Sequence, residues 1–319
     1  MDPLADIITL LRPKAVLSKL VSGAGNWAVR YSEFGHPSFA LVLEGSCWLA
    51  VDRQGPVQLK KGDFVFLPAT PGFTLASDLE TKPVLISPDT YWEVTERRHG
   101  DETGEPSVLL QSGYFTFDPV NAPVLLNHFP DLIHIHSSDA AIDGVSQIIK
   151  LIDREARGEF PGRDLILERL VEIMLVESLR STETDQNFRK AGLLAGLRDS
   201  QLAAALRVMH GDVSYKWNVA KLGRQAGMSR SAFANRFAKT VGITPIEYLL
   251  QLRMALAKDM LLREKRSLSE AALAIGYEST SAFSTAFRRS TGISPGAFAR
   301  DTTSPSQPDN QILSFGRQF

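Results

Sequence analysis

The sequence predicts a two-domain α+β protein. An amino-terminal β-barrel or sandwich is followed by a helical pair and then by an all-α domain carrying two helix-turn-helix units. Three observations predict this. Short apolar runs with a period of two, split by Gly and Pro, extend from Trp27 to Leu126. After Ser138 the period returns to 3.6, the spacing of an amphipathic helix. In the last third one pattern occurs twice at a constant interval of 50: Phe233 and Phe283, Phe237 and Phe287, Gly242 and Gly292, Pro245 and Pro295. A constant offset marks a duplicated supersecondary unit, and two copies are too few for a solenoid.

With 319 residues, 44% of them hydrophobic, the chain can support two cores. No window approaches the roughly 18 uninterrupted apolar residues of a membrane span, and Met1-Asp2-Pro3 lacks the basic start of a secretion signal. One cysteine, Cys47, excludes an internal disulfide framework, and its apolar surroundings predict a buried small hydrophobe rather than a redox sensor. Cytoplasm is the expected compartment. The net charge of −1 conceals an asymmetry. Residues 197–300 hold 16 Lys/Arg against 7 Asp/Glu, a balance of +9, whereas residues 1–196 hold 18 against 27, a balance of −9. A basic carboxy-terminal domain is the electrostatic footprint of a phosphate-bearing partner.

Taken in order, Asp2 to about Leu20 reads as an amphipathic helix with Ile7, Ile8, Leu10 and Leu11 on its apolar side. Strands follow at Trp27–Tyr31, Phe39–Leu43, Cys47–Val51, Val57–Leu59 and Phe64–Leu67, and then at Val84–Ile86, Val108–Leu110, Tyr114–Phe117 and Val124–Leu126. The polar stretch from Pro88 to Pro106 reads as a loop. From Ser138, the stripe Ile142, Val145, Ile148, Ile149 and Ile152 predicts one helix. After the break at Gly158–Gly162, Leu165, Leu167, Leu170, Ile173, Met174, Val176 and Leu179 predict a second, and two such helices either cap the barrel or pair with a second chain. The polar run Ser181–Phe188 reads as a linker, and the Ser/Pro-rich tail beyond Arg300 as disordered.

In the repeated region, Val219, Leu222 and Ala226 lie on one helical face, Gly227 ends that helix, and Ser229 caps the next. Phe233 and Phe237, four apart, face inward. The second copy opens on the capping box Ser267–Glu270 with Leu268, Ala272 and Ile275 as its apolar face, turns at Gly276, and restarts at Ser279 with Phe283 and Phe287 inside. Between the copies, Thr244-Pro245-Ile246-Glu247 predicts an N-cap, a first-turn proline and a capping box for a joining helix to about Leu262. Spacing from the buried phenylalanines leaves Arg230, Ser231, Ala234, Asn235 and Lys239 on the solvent face of one second helix. The other presents Thr280, Ser281, Ser284, Thr285, Arg288 and Arg289. Short polar residues allow close approach to base edges, and Arg or Lys reach phosphates.

These residues resemble the DNA-binding domain of AraC/XylS-type transcription regulators. The resemblance rests on Trp217-Asn218-Val219, on Leu252-Arg253-Met254 with Ala257 and Leu261-Leu262, on Ala274–Ser279, and on Phe283-x3-Phe287-x4-Gly292-x-Ser294-Pro295. It implies that two helices enter successive major-groove segments of double-stranded DNA, about 34 Å apart. It also implies a homodimer and, for an activator, RNA polymerase as a further partner. Leu43-Glu44-Gly45, Leu59–Asp63 and Phe66-Leu67-Pro68 resemble a cupin. With Asp2-Pro3-Leu4, Gly113-x-Phe115-x-Phe117-Asp118 and Leu132–Ile135, the block is similar to the cupin-like sensor domain that precedes such DNA-binding domains. The organisation expected is therefore a sensor domain over residues 1–136, a helical pair over 137–182, a linker over 183–196, a DNA-binding domain over 197–300 and a tail over 301–319.

Catalytic cupins hold a metal with a His-x-His pair, an acid and a later histidine. This chain offers only His36 before Leu43-Glu44-Gly45, and Thr70 and Phe73 stand where glycine and histidine would be wanted, so the usual metal site is not expected. His134 and His136 do form a His-x-His pair whose side chains would share one face of a strand. Spacing places no carboxylate beside them, and Ile133 and Ile135 read as a sheet element, so no metal is expected there either. A small-molecule effector inside the barrel would be met by Trp27, Arg30, His36, Phe39, Trp48 and Phe73. No Gly-rich phosphate loop, paired catalytic carboxylates or nucleophile elbow occurs, so a regulator without a cofactor is expected rather than an enzyme. The alternatives are a metal-dependent cupin enzyme with a DNA-binding appendage, or an effector-independent regulator whose barrel only dimerises.

Overall fold

A computed structural model describes residues 2–86, 96–126, 129–181 and 192–301. The chain forms two compact units, residues 2–203 with 239–242, and residues 204–238 with 243 onward. The first opens on α1 (Pro3–Leu11), which Asp2 caps by accepting from the Leu4 N–H, and which buries Ile7, Ile8, Leu10 and Leu11. The helix is shorter than its apolar pattern predicts. Arg12 turns left-handed (φ 45°), Pro13 has no N–H to continue the ladder, and Lys14–Ala24 becomes strand β1.

Strands β2 (Ala28–Tyr31), β3 (Ser38–Val51), β4 (Val57–Lys60), β5 (Phe64–Leu67), β6 (Phe73–Ala76), β7 (Val84–Ile86), β8 (Glu96–Gly100), β9 (Val108–Thr116) and β10 (Ile133–Ile135) join β1 in one sheet. Its main path runs β7-β2-β6-β3-β9-β1-β8, with β4 and β5 on β3 and β10 on β5. The path ends at β7 and β8, which are not paired with each other among the described residues, so the sheet curls into a half-barrel rather than closing. Three sequence expectations are corrected here. The runs 39–43 and 47–51 form one strand whose register shifts between Val42 and Glu44. Residues 96–100, read as loop, pair in parallel with β1, because a charged strand on a sheet edge needs only one buried face. Residues 124 and 125, read as strand, belong to the short helix α2 (Ala122–Leu125), which follows the N-cap Asn121, carries Pro123 in its first turn and ends at the C-cap Leu126.

The bulge in β3 decides which side chains make the core. Before it Ala40 and Val42 face the concave side, and after it Cys47, Leu49 and Val51 do, because one extra residue inverts the alternation. They pack with Trp27, Val29, Tyr31, Val65, Leu67, Phe73 and Leu75 into one cluster. Cys47 is buried as expected, and burial pushes its thiol up to about 12. On the other face Phe39 stacks on Phe64 (6.5 Å) and Phe66 on Phe115 (6.0 Å).

The helical pair α3 (Ile142–Arg157) and α4 (Arg163–Ser181) packs together and on β1. A buried polar knot fixes it there: the Gln111 amide donates to Ser18 Oγ (2.6 Å) and Asp153 Oδ1 (2.7 Å), and Arg157 closes on the same carboxylate (2.8 Å). The α3 stripe is buried as predicted, but the α4 stripe is rotated. Val171 and Leu175 are buried in place of Leu165 and Ile173, which are 60% and 49% exposed.

The second unit contains the end of α6 (Ser200–Gly211), then α7 (Val219–Gln225), α8 (Arg230–Val241) as far as Ala238, α9 (Pro245–Leu262), α10 (Leu268–Ala274), α11 (Thr280–Thr291) and α12 (Pro295–Asp301). A short α5 (Leu193–Arg198) begins inside the stretch read as linker; most of that linker and the tail beyond 301 lie outside the described residues. The expected caps Ser229, Thr244, Ser267 and Ser279 each accept from a first-turn N–H, and so does Asn218, which the sequence reading did not name as a cap. The reciprocal capping box is made only at Ser267–Glu270, since Glu247 does not bond back to Thr244 among the described residues.

Candidate nucleic-acid interface

Each half of the duplication builds helix, turn and second helix from the same parts. In the first, Gly227 (φ 65°) donates to Arg224 O and Met228 donates to Gly223 O. In the second, Gly276 (φ 86°) donates to Leu273 O and Tyr277 to Ala272 O. A left-handed residue at the helix end satisfies the last carbonyls, and glycine adopts it without a Cβ penalty. These turn bonds recur at an interval of 49, whereas the caps Ser229 and Ser279 recur at 50. One residue, Glu278, is therefore added in the second turn, and its carboxylate pairs with Lys216. That ammonium holds the Glu278 carboxyl below its usual range.

The duplication runs further than the sequence pattern showed. Phe233 and Phe237 pack at 5.6 Å and Phe237 meets Tyr248 edge-on at 6.0 Å. Fifty residues later Phe283 and Phe287 pack at 5.5 Å and Phe287 meets Phe298 at 5.3 Å. Helix α12 thus repeats the opening turn of α9, with Ser294 capping as Thr244 does. All four phenylalanines of α8 and α11 are fully buried, which sets the rotation of both helices.

That rotation exposes Arg230, Ser231, Asn235 and Lys239 on α8, and Thr280, Ser281, Thr285, Arg288 and Arg289 on α11. Ala234 and Ser284 are half-buried in both copies because each directly follows a buried phenylalanine. Arg230, Lys239, Arg288 and Arg289 make no ion pair among the described residues. The arginines of the helical pair contrast with them: Arg154, Arg157, Arg169 and Arg180 are each bonded to a carboxylate on their own helix. The Asn235 amide is likewise unengaged among the described residues, whereas Thr285 donates its hydroxyl to Ser281 O (3.0 Å).

The loop ahead of α7 ties the two copies together. Arg253 on α9 donates to Val213 O (2.9 Å) and Tyr215 O (3.0 Å), and His210 meets the Tyr248 hydroxyl at 2.8 Å. Gly276 lies against the Ser214 carbonyl, which a side chain there would strike at 2.2 Å. These contacts are not legible in the sequence.

In the first unit, the six side chains named for an effector do not converge. Trp27 and Phe73 fill the concave core, Phe39 lies on the opposite face, and His36 is exposed in a loop. Trp48 and Arg30 alternate with the core residues Leu49 and Val29, and so point away from it; Arg30 pairs with Asp52 at 2.7 Å. The cause is strand parity, which separates neighbours to opposite faces. Thr70 is buried and donates to the His36 carbonyl, and Phe73 stacks on Tyr31, so neither position offers a cupin ligand. Two groups of polar side chains come together that spacing along the sequence does not assemble. Lys19 and His99 are buried at the core edge, where burial first and nearby Arg97 second bring them down to about 6 and about 4. The Tyr31 hydroxyl and His99 Nε2 are hydrogen-bonded at 3.0 Å. The second group joins His134 and His136 to Asp63, with His134 Nε2 standing 3.2 Å from Asp63 Oδ2.

Comparison with known proteins bears on both units. A family model described as Cupin matches residues 2–182, and one described as a helix-turn-helix domain matches residues 222–301. An AraC-like transcription regulator of Streptomyces lividans is 36% identical, covering 96% of this chain and 100% of its own. Another from Streptomyces antibioticus is 34% identical over 94% and 99%. Among solved structures, the DNA-binding domain of AdpA in complex with a target DNA is 28% identical, covering 33% of this chain and 96% of that one, with a TM-score of 0.31.

Proposed function

Since the chain belongs to the AraC family of helix-turn-helix transcription regulators, we propose that α8 and α11 are its two DNA-reading helices, laid into successive major-groove segments. The observation that carries this is a coincidence of two patterns. The same fifty-residue interval that buries the phenylalanine pairs turns outward two faces of short polar side chains, and on them stand four cations without carboxylate partners among the described residues. Unpaired Arg and Lys cost least to transfer to phosphates, because no internal ion pair must be broken first. Arg230, Lys239, Arg288 and Arg289 are assigned to phosphates. Ser231, Ala234, Asn235, Thr280, Ser281, Ser284 and Thr285 are assigned to base edges. Asn235 has both donor and acceptor free, the pattern that pairs with adenine N6 and N7. Thr285 has spent its proton on Ser281 O and presents acceptor lone pairs, which suit an amino group on adenine or cytosine.

The remaining assignments follow the same reading. Residues 1–136 form the sensor domain, 137–182 the dimerisation pair, 183–196 the linker and 197–300 the DNA-binding domain, in a protein acting in the cytoplasm. Exposed Leu151, Phe160, Leu165, Ile166 and Ile173 on or beside the helical pair supply an apolar surface for a second copy. A small molecule bound by the half-barrel modulates the regulator, and activation proceeds through RNA polymerase.

The test is fluorescence anisotropy of the full chain on its own upstream DNA and on a scrambled duplex, titrated over salt. Arg288→Ala and Lys239→Ala should each lower the salt slope by about one. Asn235→Ala should change base preference with little change in slope. An Asn235→Ala protein with unaltered affinity and preference would remove α8 from base readout.

A further inference from the structure

Asp63 closes the turn between β4 and β5, and His134 sits on β10, which pairs with β5 so that His134 lies opposite Val65. Asp63 and Val65 are two apart, as are His134 and His136, so period-two geometry turns all of them to one side. That side is the concave one, since Val65 and Leu132 belong to or pack on the concave core. The result brings two imidazoles and a carboxylate together across about seventy residues of sequence. One ligand atom from each lies within 4.8 Å of the other two. The imidazole rings are 4.1 Å apart between centroids.

The distances suit a small ion. A tetrahedral ion with bonds of about 2.0–2.2 Å sets its ligand atoms about 3.4 Å apart, and His134 Nε2 is 3.2 Å from Asp63 Oδ2. The carboxylate is held in place by the Ser137 N–H on Oδ1 (2.8 Å) and the Lys60 N–H on Oδ2 (3.0 Å), the outer-shell bonding that orients a ligating carboxylate. Asp139 accepts from the His136 N–H (2.8 Å) and so fixes the backbone that carries the third group. The His136 side chain has no hydrogen-bond partner among the described residues, only the facing ring of His134. Asp63 is buried and His134 nearly so, while His136 is exposed, which leaves the outer side open to water or a further ligand.

The geometry points to a binding site for a divalent ion of the zinc class, ligated by Asp63, His134 and His136. Imidazole and carboxylate together suit a borderline ion rather than calcium or magnesium, which take oxygen donors. Bound there, the ion joins β5 to β10 and to the segment leading into α3, so that occupancy tightens the junction between the half-barrel and the helical pair. It is distinct from the usual cupin centre, whose positions Thr70 and Phe73 occupy without ligands.

The experiment uses the full chain, freed of metal by a chelator, titrated with cobalt(II) and then with zinc. Wild type should take up one equivalent of cobalt with a visible absorption band of tetrahedral or five-coordinate form, which one equivalent of zinc removes. His136→Ala keeps the Asp63–His134 hydrogen bond and tests the third ligand alone; it should weaken cobalt binding at least tenfold while leaving the circular dichroism spectrum unchanged. Zinc should raise the melting temperature of wild type and not that of His136→Ala. Absence of the band in wild type, or an equal band in His136→Ala, would overturn the assignment, the second result meaning that another histidine holds the ion.

Discussion

Gly276→Ala is the substitution whose cost the structure specifies best. Gly276 has φ 86°, a conformation that costs a residue with a Cβ about 1–2 kcal/mol. The added Cβ would also lie 2.2 Å from Ser214 O and 2.8 Å from Ser214 C, both backbone atoms. Ser214 cannot easily retreat. The neighbouring Val213 and Tyr215 carbonyls are held by Arg253, and the Asp212 carboxylate accepts from the Ser214 hydroxyl (2.7 Å) and the Tyr215 N–H (3.0 Å). Releasing one hydrogen bond to a charged group costs about 1.5–3 kcal/mol, so the expected total is about 2.5–5 kcal/mol. Gly292→Ala is the internal control. Gly292 has nearly the same φ, 82°, and a Cβ added there would meet nothing within 4 Å, so only the conformational cost of about 1–2 kcal/mol applies. Hydrogen exchange of peptides covering α9 and α11 reads the opening free energy of each variant in the full chain. Equal losses for the two would refute the argument that the Ser214 contact holds the second turn in place.

Three further outcomes are expected. Phe287→Ala should lower the opening free energy of α11 by about 3–5 kcal/mol, because a fully buried ring between Phe283 and Phe298 leaves a cavity; urea titration followed by circular dichroism checks it. His99 stays neutral in the folded state down to about pH 4 but takes a proton near 6.5 when unfolded, so its contribution is present above 6.5 and is lost as pH falls through that window, by about 3 kcal/mol in all. Tryptophan fluorescence across that range measures the loss, which His99→Gln should flatten, since Trp27 stacks on His99 at 5.6 Å. Ser267→Ala removes the N-cap of α10 and should cost about 1 kcal/mol, whereas Thr244→Ala, which breaks no reciprocal box, should cost less; both are read by thermal melting.

Much of the DNA-reading half is legible in the sequence alone. The buried phenylalanine pairs, the capping residues and the turn glycines are local devices, each acting within about four residues, and so they are written directly into sequence spacing. The half-barrel is harder to read, although its strands are mostly located by their period. The bulge after Val42 inverts inside and outside along β3, and no periodicity count detects a single extra residue from one strand alone. The expected helix to Leu20 fails because Pro13 stops the ladder while the apolar pattern continues into β1. The six effector candidates do not converge for a related reason: Arg30 and Trp48 sit beside core residues in sequence, and strand geometry sends such neighbours to opposite faces.

That two copies of one helical unit exist, which face of each is buried, and that the basic charge lies with them all follow from residue spacing and composition. Features that depend on distant segments meeting came from the folded chain. It placed the Ser214 carbonyl against Gly276, rotated α4 so that Leu165 and Ile173 face outward, and set Asp63 beside His134 across the β5–β10 pairing. The division follows the range of the forces involved. Capping and helical periodicity act between residues a turn apart, whereas strand register and side-chain ligation join residues whose separation along the chain carries no signal of their distance in space.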